Sequence, residues 1–273
     1  MKESSLGDRR IFSMKRMRFN RGSVDLCLVL GMLLCSVPSS DVHAEDPPSA
    51  VGPVMKLFKS GRLPVERQGT VVEMICSRGN ENDLRIIFDQ LIQTDGFSRA
   101  LRLKTIGWLS EAASTRKVKP TGELDSLGLL FNGDDVEQRL AAIRLASAWK
   151  LASTAIALQA VATDEKTTPN LQRAAISGLV AVGGANSTST LLDLASNKRP
   201  LPVRFQAVTG LVSLDLDVAS EIAATVLADS KGTENVQEML TAFLDLRDGA
   251  DKLANALKSK KLSIDVEIGR AHV

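Results

Sequence analysis

The chain has 273 residues, no Tyr and only 4% aromatic residues, while 44% of its residues are hydrophobic. Low aromatic content with abundant Ala and Leu favours packed helices over sheets, which are rich in β-branched and aromatic residues. The formal net charge is +2, but the first 44 residues hold 7 of the 34 basic and 4 of the 32 acidic side chains. The remainder has 27 against 28, a net charge of −1, so the charge gives no reason to expect nucleic-acid binding.

Residues 1–44 have the pattern of a secretory signal peptide. A basic segment containing Arg16, Arg18 and Arg21 precedes an apolar run over 26–37, and Val42-His43-Ala44 forms a cleavage site before Glu45. The apolar run is well short of the roughly 20 residues that a transmembrane helix needs. We therefore expect cleavage after Ala44, export to the periplasm or medium, and no stable membrane span afterwards. An uncleaved anchor, or a lipid anchor on Cys35, is the alternative.

Helical periodicity begins after this leader. Apolar residues at i, i+3, i+4 and i+7 predict helices over 54–60, 64–78, 82–92, 101–109 and 124–131. From Asp134 onward, four similar stretches begin at Ala142, Ala175, Ala207 and Met239, which are 32 or 33 residues apart. A fixed period of this size is typical of stacked supersecondary units. The predicted fold is all-α, a right-handed α-solenoid of helical hairpins, with inner helices at 136–149, 169–183, 201–214 and 234–247 and outer helices at 152–163, 185–196, 217–228 and 250–258.

The repeated stretches resemble HEAT repeats, in which the second helix of each hairpin opens with Val-Arg and continues Ala-Ala. The segments that carry this resemblance are 137–142, 171–175 and 203–207. In HEAT repeats an Arg here commonly ties neighbouring units together, which implies structural roles for Arg139, Arg173 and Arg204. The last unit, with Val236-Gln237-Glu238, lacks the Arg.

A second resemblance covers most of the chain after the leader. Residues 61–69, 96–103, 115–120 and 243–250 are similar to the HEAT region of exported bacterial PVC-type haem-binding proteins. In that family a c-type cytochrome domain usually follows toward the C-terminus. The Cys-x-x-Cys-His motif of such a domain is absent from this sequence. The resemblance implies that a c-type haem would belong to a C-terminal domain beyond this chain.

The C-terminal residues suggest an artificial end. Ile268–Val273 resembles translated sequencing-adapter read-through, so we predict a solenoid over 45–266 and a non-native tail over 267–273.

Few chemically reactive side chains remain in the predicted solenoid. The two histidines, His43 and His272, lie outside 45–266, and Cys76 is the one cysteine within it. This stretch therefore lacks the ligands of a c-type haem or zinc site and the base of a Ser-His or Cys-His pair. The acidic clusters at 134–137, 164–165 and 215–217 stand at predicted helix starts or turns, and we expect them to cap helices rather than to catalyse.

The sequence thus predicts a non-enzymatic scaffold without metal or cofactor of its own. Its partner would be a protein on the concave face of the solenoid, or the missing C-terminal domain. The alternative is the N-terminal part of a periplasmic c-type cytochrome protein with an electron-transfer or dehydrogenase role. Some HEAT-like proteins are bilin lyases, but no residue here points to that chemistry. The last unit has no following repeat, so we also expect an apolar face exposed near Leu240, Phe243 and Leu244.

Overall fold

The computed structural model describes residues 49–230, 236–258 and Lys260. In these ranges the chain is all-helical and contains no strand. A π-helical turn covers Ala112–Arg116, and 3-10 helices cover Asp125–Asn132 and Ala152–Thr154. The α-helices are α1 Gly52–Lys59, α2 Val65–Arg78, α3 Glu81–Ile92, α4 Arg99–Glu111, α5 Val136–Trp149, α6 Ala155–Thr163, α7 Pro169–Val182, α8 Gly184–Leu194, α9 Leu201–Val212, α10 Leu216–Asp229, α11 Gln237–Leu244 and α12 Gly249–Lys258.

The predicted helices are confirmed, with small shifts at their ends. The prediction over 136–149 coincides with α5 at both ends, because Asp135 caps its start and Lys150 leaves it in a left-handed conformation. The prediction over 124–131 is a 3-10 rather than an α-helix, and the one over 152–163 begins with a 3-10 turn. The predicted signal peptide, the tail over 267–273 and part of the last inner helix lie outside the described residues.

Side-chain caps define several of the described helix starts. Asn80 and Asp83 form a capping box at α3, in which each side chain accepts a hydrogen bond from the other residue's backbone N–H. Ser98 caps α4, and Asp215 caps α10. Between α7 and α8 the chain turns through Gly183 and Gly184, whose φ values of 70° and 83° favour glycine.

The helices after α1 pack as two rows. In the first row α2 contacts α4, and contacts continue through α5, α7 and α9 to α11. In the second row α3 contacts the 3-10 helix Asp125–Asn132, which contacts α6, and α6 contacts α8; α10 packs on α9 and α12. No described helix is long and apolar enough to cross a membrane.

Small side chains allow neighbouring helices of the first row to pack closely. The repeat position that begins each similar stretch is buried in all four units: Ala142, Ala175 and Ala207 are fully buried, and Met239 is 1% exposed. At Gly178 an added Cβ would lie only 2.9 Å from the Ser147 Oγ, so this crossing of α5 and α7 accepts no side chain without a shift.

The expected apolar face at the last unit is only partly present. Phe243 is fully buried, against expectation, because α12 packs on α11 and covers part of it. Leu240 is half-buried, and Leu244 is 69% exposed.

Candidate interaction surface

One side of the first row faces solvent along successive helices. Its exposed or half-buried residues at one repeat position are Arg144 on α5, Ser177 on α7, Thr209 on α9 and Thr241 on α11. The residues one turn further on are Ala148, Ala181, Ser213 and Asp245. Short side chains lose little rotamer freedom when a partner covers them, so burying them costs little conformational entropy.

Two shallow grooves cross this face between α7, α9 and α11. Each has a volume of about 210 Å³, and both are lined by Arg173, Gln206, Thr209 and Glu238. Ser177 and Ser213 add hydroxyl groups to the first groove, and Phe205 and Met239 add apolar surface to the second. The grooves therefore combine both charges, hydrogen-bonding groups and apolar walls.

Several polar groups of these grooves have no partner among the described residues. The Oε1 atom of Gln206 is shielded from solvent and accepts no hydrogen bond there. The side chains of Arg173 and Glu238 make no ion pair or hydrogen bond within the same ranges. An acceptor that is shielded and unpaired costs about 1–3 kcal/mol, so the Gln206 amide does not stabilise the free protein.

A ladder of donors joins the helices of the two rows. The fourth residue of α4, α5, α7 and α9 donates a hydrogen bond to a carbonyl at the end of the preceding helix. The donors are Arg102 (to Gln93 O, 3.0 Å, and Thr94 O, 2.9 Å), Arg139 (to Phe131 O, 2.5 Å), Gln172 (to Ala162 O, 2.9 Å) and Arg204 (to Ala195 O, 3.2 Å). Terminal helix carbonyls lack intrahelical partners, and this ladder satisfies them.

The three arginines singled out in the sequence thus have different surroundings. Arg139 and Arg204 are rungs of the ladder, but Arg173 is exposed, and Gln172 beside it donates the equivalent bond. Arg204 is 4% exposed and also donates to Asp229 Oδ2 on α10 at 2.8 Å. Whether Arg173 has a structural role stays a prediction. Sequence reasoning missed Arg102, because the repeat is less regular before Asp134.

The acidic clusters lie at helix starts and turns, as expected. The Oδ1 atom of Asp135 accepts from the backbone N–H groups of Glu137 and Gln138 at 3.1 and 3.3 Å, and Arg99 binds its other oxygen. The hydrogen bond from Arg99 lowers the pKa of Asp135 to about 2, against burial and with help from the backbone bonds. Asp215 Oδ1 accepts from the N–H of Val218 at 3.1 Å.

Cys76 is a buried thiol on α2. It is fully buried, and burial raises its pKa to about 12 despite the opposing effect of the Arg116 charge. A thiol with this pKa carries almost no thiolate at neutral pH, so it is a poor nucleophile and a poor metal ligand. Cys76 therefore packs as a small hydrophobic residue of the core.

A larger groove opens in the second row between α8, α10 and α12. Its volume is about 850 Å³, and Leu192, Ser196, Ile222 and Asp229 are among its lining residues. The buried Arg204 also borders it. Here the guanidinium is already paired with Ala195 O and Asp229, while the Ser196 Oγ is shielded from solvent and has no hydrogen-bond partner among the described residues.

Within the described ranges, no group of three or more His, Cys, Asp or Glu side chains is placed to hold a metal ion. A comparison with models of known protein families gives no match, and none of the curated proteins matches the chain.

Proposed function

We propose that residues 45–266 form a right-handed α-solenoid of HEAT-like hairpins that serves as a non-catalytic, protein-binding scaffold within an exported protein. The helical content, the 32- or 33-residue period and the sequential contacts along the first row support this arrangement. In such a solenoid the helices of the first row would form the concave side, where repeat proteins commonly bind partners.

The observation that carries the proposal is the exposed face of the first row. It extends over successive helices, carries mostly short side chains at its two repeat positions, and holds grooves with polar groups that are unpaired among the described residues. The carboxylates at 135, 164 and 215 accept hydrogen bonds from backbone N–H groups instead. Recognition of a partner therefore accounts for the free polar groups of this surface better than acid–base chemistry does.

Site-specific photo-crosslinking in an exporting host tests this proposal. A benzophenone side chain at Ser177 or Thr209 should give a discrete adduct with another protein. The same group at Gln159 or Ala160, both exposed residues of α6 in the second row, is the matched control. Adducts only from the second row, or none from either row, would contradict the proposed surface.

A haem stain of the protein produced from its natural gene, beside residues 45–266 alone, addresses the haem-protein alternative, which predicts staining of the natural product only. We expect residues 45–266 to carry no covalent haem. We expect the crosslinked partner to be identified as a polypeptide. Haem bound to residues 45–266 themselves would refute the scaffold assignment.

A further inference from the structure

We propose that the two grooves between α7, α9 and α11 bind an extended peptide segment that presents one acidic side chain to Arg173 and one basic side chain to Glu238. The amide of Gln206 would pair with the main chain of that segment. This inference rests on the proposed scaffold function and names the class of partner.

The size of the grooves favours an extended peptide over a helix. The two grooves share Arg173, Gln206, Thr209 and Glu238, and each has a volume of about 210 Å³. A helix is about 10 Å across with its side chains, so its main chain stays outside a groove of this volume and keeps its N–H and C=O groups paired within the helix. Single side chains of an extended segment fit such spaces, since alternate residues point in the same direction about 7 Å apart.

Charge complementarity sets the chemistry of the segment. Arg173 and Glu238 border the same grooves from α7 and α11, with no ion pair to each other or to other described residues. A ligand with a single charge would leave one of them unmatched. A segment with one carboxylate and one cation pairs with both.

Gln206 supplies the main-chain contact. Its Oε1 atom is shielded and unpaired among the described residues, although the residue itself is only half-buried. Turning the amide into the groove would let Oε1 accept from a peptide N–H and Nε2 donate to a peptide C=O. The bound state would then recover the hydrogen bond that the free protein lacks.

The probe is a phage-displayed library of random dodecapeptides, selected against the full chain. Enriched peptides should contain an acidic and a basic residue and should not require a helical periodicity. Gln206→Met, which keeps the length of the side chain, should weaken their binding at least tenfold. The same substitution should raise Tm by about 2–4 °C, because it removes an unpaired acceptor.

Two sets of variants keep the outcome decisive. Gln159→Met, at an exposed position on α6, should change neither binding nor Tm. Exchange of the groove charges by Arg173→Glu with Glu238→Lys, both at exposed positions, should invert which end of the selected peptides carries the acid. Because this exchange changes no core residue, it still tests the groove assignment if Gln206→Met destabilises the protein and lowers Tm.

Failure of this inference differs from failure of the scaffold proposal. If no peptide is enriched, or if enriched peptides bind Gln206→Met and the charge-exchanged protein unchanged, the groove assignment is wrong. Crosslinks from Ser177 or Thr209 would still support a partner on the first row in that case. If those crosslinks are also absent, both proposals fall.

Discussion

Replacement of Arg204 by Ala should be the most costly change in the donor ladder. The side chain is 4% exposed, and its Nε and Nη2 atoms bridge the end of α8 to the end of α10 through Ala195 O and Asp229. Ala at this position leaves the carbonyl of Ala195, itself 3% exposed, without this partner, and it removes the buried stem of the arginine.

The magnitude follows from these contacts. A buried acceptor left unpaired costs about 1–3 kcal/mol. The bond to Asp229 adds less, because the carboxylate is 48% exposed and water replaces the guanidinium; about 0.2–1 kcal/mol is appropriate for such a pair. Together with the lost packing of the stem, Arg204→Ala should lower the free energy of unfolding by about 2–4 kcal/mol.

Urea denaturation of the full chain, followed by circular dichroism, measures this change. Arg173→Ala is the matched control, because this arginine is exposed and makes no ion pair within the described residues; it should change stability by less than about 0.5 kcal/mol. Asp229→Asn should cost at most about 1 kcal/mol. Equal losses for Arg204→Ala and Arg173→Ala would refute the reasoning, since Arg173 is exposed and makes no hydrogen bond among the described residues whose loss could account for such a cost.

Three further changes test other parts of the fold. Arg99 lowers the pKa of folded Asp135 to about 2, below the roughly 3.9 of an unfolded Asp, so the stability it contributes is full above pH 4 and is lost as the pH falls toward 2. Asp135→Asn should therefore flatten that part of an acid-denaturation curve, and an unchanged curve would contradict the assignment. Gly107→Ala should raise the free energy of unfolding by about 0.5–1 kcal/mol in a urea melt, since an added Cβ meets nothing within 4 Å. Gly178→Val should lower it by about 1–3 kcal/mol, because an added Cβ meets the Ser147 Oγ at 2.9 Å. The opposite order would disprove the close crossing at Gly178. Cys76 should resist alkylation by iodoacetamide at pH 8 until urea unfolds the chain, and rapid labelling of its peptide in the native protein, detected by mass spectrometry, would show that the thiol is not buried.

The helices were largely predictable because their signals are local. Asn80, Ser98, Asp135 and Asp215 cap helices that the apolar periodicity had already indicated. One exception is residues 125–132, which form a 3-10 helix that packs against α5 and α6.

The donor ladder shows a limit of assigning a residue's role from its similarity to a repeat family. Sequence similarity pointed to Arg173, but the fourth residue of α7 is Gln172, which lies three residues before Ala175 as Arg139 lies before Ala142. The geometry requires a donor at that position and not a particular residue. An alignment on the buried alanines would have found it.

The grooves were not predictable from the sequence. Nothing in the period distinguishes Gln206 from any other half-buried polar residue, because its unpaired oxygen results from the packing of α7, α9 and α11 together. Arg173 and Glu238 are 65 positions apart, and only the fold brings them to the same grooves.

The distance between spin labels on α5 and α11 tests the central claim, an open row of stacked repeats, most directly. Labels at Arg144 and Thr241 occupy equivalent exposed positions three helices apart in the first row. With about 8–10 Å between neighbouring axes, double electron–electron resonance should give a single distribution near 24–30 Å. A distribution centred below about 15 Å would show that α11 folds back toward α5, and it would contradict both the solenoid and the continuous face on which the proposed function depends.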